Sequence, residues 1–296
     1  MDGVFHVSFP GLGINDLEIH RTAFSIGSFN VYWYGILIAV GLLLAVLYAY
    51  FNAHRYDVDR SKLIDCVIVG IVTSIIGARL YYVIFKWDYF SQDFSRVFDI
   101  RDGGIAIYGA IIGGLLGGYI VARIKKQKFM PMLDIAMTGF LIGQALGRWG
   151  NFFNQEAYGD QTDSVFRMIS ENTIINGQNV AVHPCFLYES VWCALGFLFL
   201  FIFNRKWQKY HGQIFYLYLV WYGAERMVVE GLRTDSLYLP FQVFGLDIRV
   251  SQVLSAVLVV VGIVMLIVKR NKDDGMRGRV FEKKIKTKKK RAKKAA

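Results

Sequence analysis

The chain carries seven apolar stretches, each long enough to cross a membrane as a helix. A helix needs about 20 largely apolar residues to span a hydrocarbon core of about 30 Å. With 54% hydrophobic and only 19% charged residues, the chain is more apolar than a typical soluble domain. The sequence therefore predicts an all-α integral membrane protein with seven transmembrane helices, at residues 30–51, 63–85, 104–122, 132–152, 185–203, 212–231 and 250–268.

Basic residues are concentrated in every second connection between these stretches. Because cytoplasmic loops carry the excess of Lys and Arg, this pattern places the C-terminus in the cytoplasm and the N-terminus outside. Residues 1–29 are then an extracytoplasmic arm, and 30–268 a membrane domain with a small extracytoplasmic head at about 153–184. The predicted cytoplasmic segments, which are rich in basic residues, are the chain end from Lys269 onward and the connections that contain Arg55, Arg60, Lys62, Arg123, Lys125, Lys126, Lys128, Arg205, Lys206 and Lys209.

The net charge of +11 comes largely from the end of the chain, which closes on KKIKTKKKRAKKAA. Such a run repels itself and has few apolar residues to bury. We interpret residues 269–296 as a basic cytoplasmic tail that attracts anionic membrane lipids, with no nucleic-acid partner. Residues 1–28 lack the pattern of a cleaved signal peptide, and Gly11 and Gly13 argue against one continuous helix there.

The three cysteines, Cys66, Cys185 and Cys193, lie in or beside apolar stretches and lack the spacing of metal ligands. We expect them to be small core residues, and we expect no metal or organic cofactor.

Arginines inside membrane spans indicate where a function lies, because each costs roughly 2.5–3.5 kcal/mol to insert. Arg79, Arg148 and Arg226 are of this kind. Two of them belong to polar stripes at helical spacing, near the outer ends of the fourth and sixth spans. The first stripe contains Gln144, Arg148, Asn151 and Gln155, and the second contains Tyr222, Arg226, Glu230 and Arg233.

These stripes have two interpretations. In the first, the arginines form ion pairs with Glu156, Glu189, Glu225 or Glu230 and only hold helices together. In the second, two guanidinium groups near the outer leaflet bind an anionic headgroup, because each can grip a phosphate with two parallel bonds.

Other polar or small residues lie at the outer ends of further spans. The aromatic residues Tyr32 and Trp33 suit an interfacial belt. Tyr108 opens the third span, where Gly109, Gly113 and Gly117, and also Gly114 and Gly118, recur every four residues as a close-packing face. His183 stands just before the fifth span, near the candidate site.

Residues 147–159, GRWGNFFNQEAYG, carry a resemblance to a known family. The segment is similar to the pattern Gly-Arg-x-Gly-Asn-Phe-x-Asn-x-Glu-x-aromatic-Gly of the prolipoprotein diacylglyceryl transferases, at every fixed position. Other motifs agree in order over residues 25–268: WYG at 33–35, GAR at 77–79, HPCFLYE at 183–189, and the stripe that ends at Arg233.

The resemblance implies an enzyme of the bacterial plasma membrane with seven spans and an active site toward the outer leaflet. Such an enzyme transfers the diacylglyceryl group of phosphatidylglycerol to the thiol of the lipobox cysteine in a prolipoprotein. It makes a thioether and releases glycerol phosphate without a cofactor.

The resemblance also implies residue roles. Arg148 and Arg226 would bind the leaving phosphate, Asn151 and Gln155 would orient the headgroup, and Glu156 and Glu230 would hold the arginines. Gly159 would allow a tight turn over the site. Tyr34 would contact headgroup or thiol, and Arg233 matches a further family arginine.

The thiol needs activation, and here the chain departs from a common form of the family. Tyr108-Gly109-Ala110 stands where those members have His-Gly-Gly. We therefore expect the field of the two arginines to activate the thiol, with Tyr108 as a relay and His183 as a third candidate. The alternatives are a transporter or channel for an anionic solute and a non-catalytic scaffold.

Overall fold

The computed structural model describes residues 3–99, 103–236, 238, 242 and 247–276. The chain divides into two compact units. One contains Met1–Tyr48 and Ala136–Ala296, and the other contains Ala49–Ile135. We call them the first unit and the second unit.

Each of the seven predicted stretches is a long helix. A short helix, α3 (Trp87–Phe90), stands among them. The long helices are α1 (Trp33–Asn52), α2 (Arg60–Phe85), α4 (Ile107–Ile124), α5 (Phe129–Asn154), α6 (Cys185–Lys206), α7 (Gln213–Leu232) and α8 (Val250–Val268).

Among the described residues, six helices are long and apolar enough to cross a membrane: α1, α2, α4, α5, α6 and α8. The chain is thus a mostly helical, multi-pass membrane protein. Helix α7 is not among the six. Its second half carries Glu225, Arg226 and Glu230, and three charges lower its mean hydropathy.

The prediction of an all-α fold is wrong for the N-terminal arm. Residues 4–32 form two antiparallel hairpins, β1 (Val4–Phe9) with β2 (Ile14–His20), and β3 (Thr22–Ile26) with β4 (Phe29–Tyr32). Gly13 and Gly27 take left-handed conformations at the two turns, with φ of 71° and 59°, which suit glycine. A short third hairpin, β5 (Ile174–Ile175) with β6 (Gln178–Asn179), lies within the predicted head region.

The first hairpin and the end of α5 share one apolar core. Val7, Phe9 and Ile19 of the hairpin are buried together with Phe152 and Phe186, at the end of α5 and the start of α6. Met168 and Val182, from the segment between α5 and α6, complete the cluster. This core fixes the position of the segment that follows α5, where the sequence places most of the candidate site.

Within the second unit, α2 and α4 pack through their glycines, as the sequence predicts. A Cβ atom on Gly109 would overlap the carbonyl oxygen of Gly77, and one on Gly113 would overlap the carbonyl of Thr73. The hydroxyl of Ser74 donates to the carbonyl of Ala110 at 3.0 Å. Small residues therefore allow the two backbones to approach closely.

Arg79, the first of the three span arginines, binds main-chain carbonyls of its own unit. Its guanidinium donates to the carbonyl oxygens of Arg96, Val97, Asp99, Gly103 and Gly104 at 2.5–2.8 Å. The side chain is 9% exposed. Arg79 therefore ties the C-terminal part of α2 to the segment that precedes α4.

In the first unit, α6, α7 and α8 surround a second core that includes Leu141, Cys193, Leu200 and Ile214. All three cysteines are free and buried, which confirms their prediction as small core residues.

The start of the predicted tail is packed against the connection between α6 and α7. The main-chain nitrogen of Asp274 donates to the carbonyl of Lys209, and Oδ2 of Asp274 accepts from the nitrogen of His211. Met276 is buried. Residues 277–296, which hold the rest of the predicted basic tail, lie outside the described part of the chain.

Candidate active site

Two arginines and two glutamates from three helices form one ion-pair cluster in the first unit. Nε of Arg148, on α5, lies 2.9 Å from Oε2 of Glu189, on α6. The other oxygen of Glu189 accepts a hydrogen bond of 3.1 Å from Arg226, on α7. Arg226 also lies 2.6 Å from Oε2 of Glu230, one turn further along the same helix. We call these four residues the arginine cluster.

Burial within the arginine cluster is uneven. The side chains of Glu189 and Glu230 are 1% and 2% exposed, whereas those of Arg148 and Arg226 are 21% and 17% exposed. The carboxylates therefore form the closed side of the cluster, and the guanidinium groups reach its open side. Because each arginine has more N–H groups than its carboxylate partners use, the open side can accept an anion.

Gln144, Arg148 and Asn151 of the first predicted stripe lie on α5, and Tyr222, Arg226 and Glu230 of the second lie on α7. Gln144 accepts from the hydroxyl of Tyr218 on α7 at 3.3 Å. Trp149 donates to the hydroxyl of Ser190, which itself donates to the carbonyl of Ala145. These bonds join α5 to α6 and α7 beside the arginine cluster. Arg148 lies between the residues of α5 that make these bonds, with Gln144 and Ala145 before it and Trp149 after it.

The turn after α5 is organised around Glu156. One oxygen of Glu156 accepts from the amides of Asn151 at 3.0 Å and Asn154 at 3.1 Å. The other end of the Asn154 amide accepts from Nε of Arg21, which follows the first hairpin. No arginine lies within ion-pair distance of Glu156 among the residues described, so the expectation that Glu156 holds an arginine is wrong.

Gln155 departs from the predicted stripe. Helix α5 ends at Asn154, and Gln155 follows with a left-handed φ of 50°. Its side chain is buried, and its amide donates to the carbonyl of Phe152 at 2.6 Å. Helical spacing does not apply to Gln155, because α5 ends one residue before it. The side chain of Gln155 therefore stabilises the turn through its bond to Phe152.

Gly159 has a different structural role from the predicted one. The left-handed residues of the turn are Gln155 and Ala157, with φ of 50° and 58°. A Cβ atom on Gly159 would overlap the side chains of His183 and Cys185. Gly159 is therefore required by close packing.

Three segments meet at Gly159 through main-chain bonds. Gly159 donates to the carbonyl of His183 at 2.9 Å, and Asp160 donates to the carbonyl of Leu232 at 2.7 Å. His183 donates back to the carbonyl of Asp160. We call this meeting of residues 159–160, 183 and 232–233 the backbone junction. It brings the ends of α5 and α7 and the start of α6 to one place.

Arg233, at the backbone junction, forms a bidentate ion pair with Asp235. Nε and a terminal nitrogen of Arg233 donate to the two carboxylate oxygens at 2.8 and 2.6 Å. Burial lowers the pKa of Arg233, but the bonds to Asp235 outweigh it and raise the pKa above its ordinary value. The same bonds lower the pKa of Asp235. Both groups are therefore charged at neutral pH.

His183 stands partly buried at the backbone junction. Its Nδ1 lies 3.2 Å from the hydroxyl of Tyr188. Burial lowers the pKa of His183 below its ordinary value, more than the nearby carboxylate of Asp160 raises it. The neutral imidazole, which can accept a proton, is therefore favoured at neutral pH.

Tyr34 lies on α1 against the motif at the end of α5. A Cβ atom on Gly150 would overlap the ring of Tyr34, so this motif glycine makes room for the tyrosine. Tyr34 also borders an open cleft of about 380 Å³ together with Arg21, Tyr32 and Asn154. The cleft thus adjoins the Asn154–Glu156 hydrogen bond.

Tyr108 belongs to the second unit. Its ring centroid lies 6.3 Å from that of Tyr81, at the start of α4. The structure brings the other ten predicted site residues into the first unit: Tyr34, Arg148, Asn151, Gln155, Glu156, Gly159, His183, Arg226, Glu230 and Arg233.

The predicted site lacks one important residue, Glu189, which the sequence predicts only as a possible ion-pair partner of the arginines. The signal for it is a carboxylate inside an apolar span, one turn into the HPCFLYE motif. Metal-binding groups of three or more His, Cys, Asp and Glu side chains are absent from the part of the chain that the structure describes.

Comparisons with known proteins agree with the motif. A family model described as prolipoprotein diacylglyceryl transferase matches residues 21–268. The chain is 41% identical over 258 residues to the phosphatidylglycerol–prolipoprotein diacylglyceryl transferase of Bacillus cereus strain G9842, covering 86% of this chain and 93% of that protein. The proteins of the same name from Bacillus mycoides strain KBAB4 and Bacillus anthracis strain A0248 are also 41% identical, over 260 residues, with the same coverage. The chain therefore belongs to the prolipoprotein diacylglyceryl transferase family.

Proposed function

We propose that this chain transfers the diacylglyceryl group of phosphatidylglycerol to the thiol of the lipobox cysteine in prolipoproteins. Family membership over most of the chain supports this function, and it gives no support to a transporter or channel for an anionic solute. The observation that carries the proposal is the arginine cluster, in which two partly exposed guanidinium groups stand over two buried carboxylates.

In the proposed reaction, the thiol sulfur forms a bond with the glyceryl carbon next to the phosphate. The bond between that carbon and the phosphate oxygen breaks, and glycerol phosphate leaves with the electron pair. Negative charge grows on the leaving phosphate, and donors fixed around it stabilise the transition state. We assign this task to Arg148 and Arg226.

The carboxylates give these arginines a fixed direction. Glu189 contacts both guanidinium groups, and Glu230 contacts Arg226. An arginine already paired on one side loses little conformational freedom when it binds phosphate on the other, so less binding energy is spent on ordering it. If the arginines served only as structural ion pairs, the partial exposure of their side chains would have no function.

We place the remaining candidates around this phosphate site. Asn151 orients the headgroup, with its amide held by Glu156. Gln155 and Gly159 shape the turn that carries these two residues. Tyr34 contacts headgroup or thiol from its cleft, and Arg233 adds positive charge at the backbone junction.

The proton of the thiol must pass to an acceptor. We infer that the field of Arg148 and Arg226 lowers the pKa of the bound thiol, because nearby cations favour the thiolate. Tyr108 acts as a hydrogen-bond relay for the proton of the thiol. His183 is the third candidate for activating the thiol. Replacing Tyr108 with Phe tests the relay: unchanged turnover removes Tyr108 from the mechanism.

We further infer seven spans, with α7 as the seventh, in the bacterial plasma membrane. The N-terminus lies outside, the C-terminus in the cytoplasm and the active site toward the outer leaflet, as the alternation of basic connections indicates. A small extracytoplasmic head follows α5, and the basic tail lies against anionic lipids.

The testing experiment uses the purified chain, phosphatidylglycerol and a lipobox peptide. We expect a peptide product heavier by the diacylglyceryl group, together with an equal amount of glycerol phosphate. Arg148→Ala should lower turnover by about 100-fold or more. The matched control is Arg167→Ala, because the side chain of Arg167 donates to the nearby main-chain carbonyls of Asp163 and Ser164. Absence of product from the unaltered chain contradicts the function, and undiminished product from Arg148→Ala contradicts the assignment of that residue.

A further inference from the structure

The hairpin formed by β3 and β4 has one apolar face. Phe24 pairs with Val31, and Ile26 pairs with Phe29. Paired residues lie on the same side of a sheet, and alternate residues of a strand share a side. These four residues therefore form one face, which we call the apolar face.

The opposite face of this hairpin is polar. Ser25 pairs with Asn30 in the same register, and its hydroxyl donates to the side-chain oxygen of Asn30 at 2.7 Å. The hairpin, from residue 22 to residue 32, contains no charged side chain. It is thus an amphipathic ribbon of two strands.

Three residues of the apolar face are exposed, and the fourth, Val31, is partly buried and borders with Phe29 the cleft beside Tyr34. Phe24 is 50% exposed, and Ile26 and Phe29 are each 69% exposed. The first hairpin behaves differently, since its Val7, Phe9 and Ile19 are buried in a core. A two-stranded hairpin is marginally stable in water, and exposed clusters of large apolar side chains mark a contact surface.

The position of this hairpin indicates what covers the apolar face. Strand β4 ends at Tyr32, and the membrane-spanning helix α1 begins at Trp33 without a linker. At about 3.4 Å per residue, the tip of the hairpin lies within roughly 20 Å of the start of α1. The hairpin therefore lies at the level where the chain enters the bilayer.

We propose that the β3–β4 hairpin lies flat in the membrane interface, with the apolar face of Phe24, Ile26, Phe29 and Val31 against the lipid. Its strand edges carry main-chain groups that need water, and unsatisfied groups of this kind cost several kcal/mol in hydrocarbon. The ribbon is therefore seated at headgroup depth, and its polar face with Ser25 and Asn30 points to water.

Depth measurements with nitroxide labels test this seating. The full chain is placed in bilayers of phosphatidylglycerol and phosphatidylethanolamine, and single cysteines at Ile26 or Phe29 are labelled. The matched control is Ser25→Cys, on the polar face of the same strand. The unaltered chain gives the background, because its three cysteines are buried.

We expect labels at Ile26 and Phe29 to collide with oxygen several-fold more often than with a water-soluble nickel complex, and the label at Ser25 to show the reverse. Equal access of the nickel complex to both faces contradicts the proposal. So does shielding of both faces, which places the ribbon in hydrocarbon. Shielding of Phe29 that arises only after a lipobox peptide is added contradicts it as well, because the face then binds peptide. Phe24→Cys repeats the test where one variant fails to fold.

Discussion

Arg148 and Arg226 stand on different helices and are joined through one buried carboxylate, that of Glu189. A single acidic side chain thereby sets the distance between two positive charges. The arrangement makes Glu189 the residue on which the geometry of the proposed phosphate site depends most.

Glu189→Gln should lower turnover by about 100-fold. The amide keeps the size of the side chain but removes the charge that directs both guanidinium groups. Turnover is measured with phosphatidylglycerol and a lipobox peptide. The matched control is Glu171→Gln, since the exposed Glu171 binds the main-chain nitrogen of His6. A Glu189→Gln enzyme as fast as the control would show that the arginines are directed by other groups.

Gly159→Ala should unfold at a lower temperature and lose activity. The added methyl group would overlap His183 and Cys185 at the backbone junction, and overpacking of this kind costs about 1–3 kcal/mol. The measurement is thermal unfolding in bilayers or detergent. Gly231→Ala is the control, because its Cβ would meet nothing closer than 3.6 Å. Equal stability of the two variants would mean that the junction can open without cost.

Removing His183 should alter how stability depends on pH. Burial lowers the pKa of His183 below 6.5, so the folded chain binds fewer protons there than the unfolded chain, and stability rises with pH in that window. The contribution is full above pH about 6.5 and is lost as the pH falls toward the folded-state pKa. His183→Gln should therefore flatten the curve of unfolding temperature between about pH 5 and 7. If the unfolding temperature of His183→Gln depended on pH as steeply as that of the unaltered chain, the imidazole of His183 would be exposed to water in the folded state.

Arg21 and Asn154 should act as a pair. Arg21 fixes one end of the Asn154 amide, and the other end donates to Glu156. Arg21→Ala should lower kcat/KM about 3- to 10-fold for the one hydrogen bond lost, and Asn154→Ala, which loses two, should lower it by at least as much. The double variant should be no worse than Asn154→Ala, because that replacement already removes the bond to Arg21. Arg167→Ala again serves as the control. Losses that multiply would show that the two residues act separately.

The helices and the arginine sites could be predicted from the sequence because both rest on local spacing. Arg226 and Glu230 are four residues apart and lie in contact, as a helix requires. The glycines of α4 likewise pack as their four-residue period predicts.

The sequence misses features that depend on tertiary contacts or on where an element ends. Gln155 leaves the stripe because α5 ends at Asn154. The β3–β4 hairpin has strands of only five and four residues with an irregular register, so its alternation of polar and apolar residues is too brief to predict strands. Glu189 becomes the shared partner only when three helices meet.

Arg79 illustrates a different kind of recognition, with a consequence for how the chain can diverge. The five acceptors of its hydrogen bonds are main-chain carbonyls, and every residue type supplies the same carbonyl. The side chains at 96, 97 and 99 are therefore free to change without loosening the anchor. Gly103 and Gly104 are the exceptions: Gly103 has a left-handed φ of 85°, and a Cβ atom on Gly104 would overlap the guanidinium of Arg79. A segment anchored in this way can acquire new surface chemistry while its attachment to α2 stays the same.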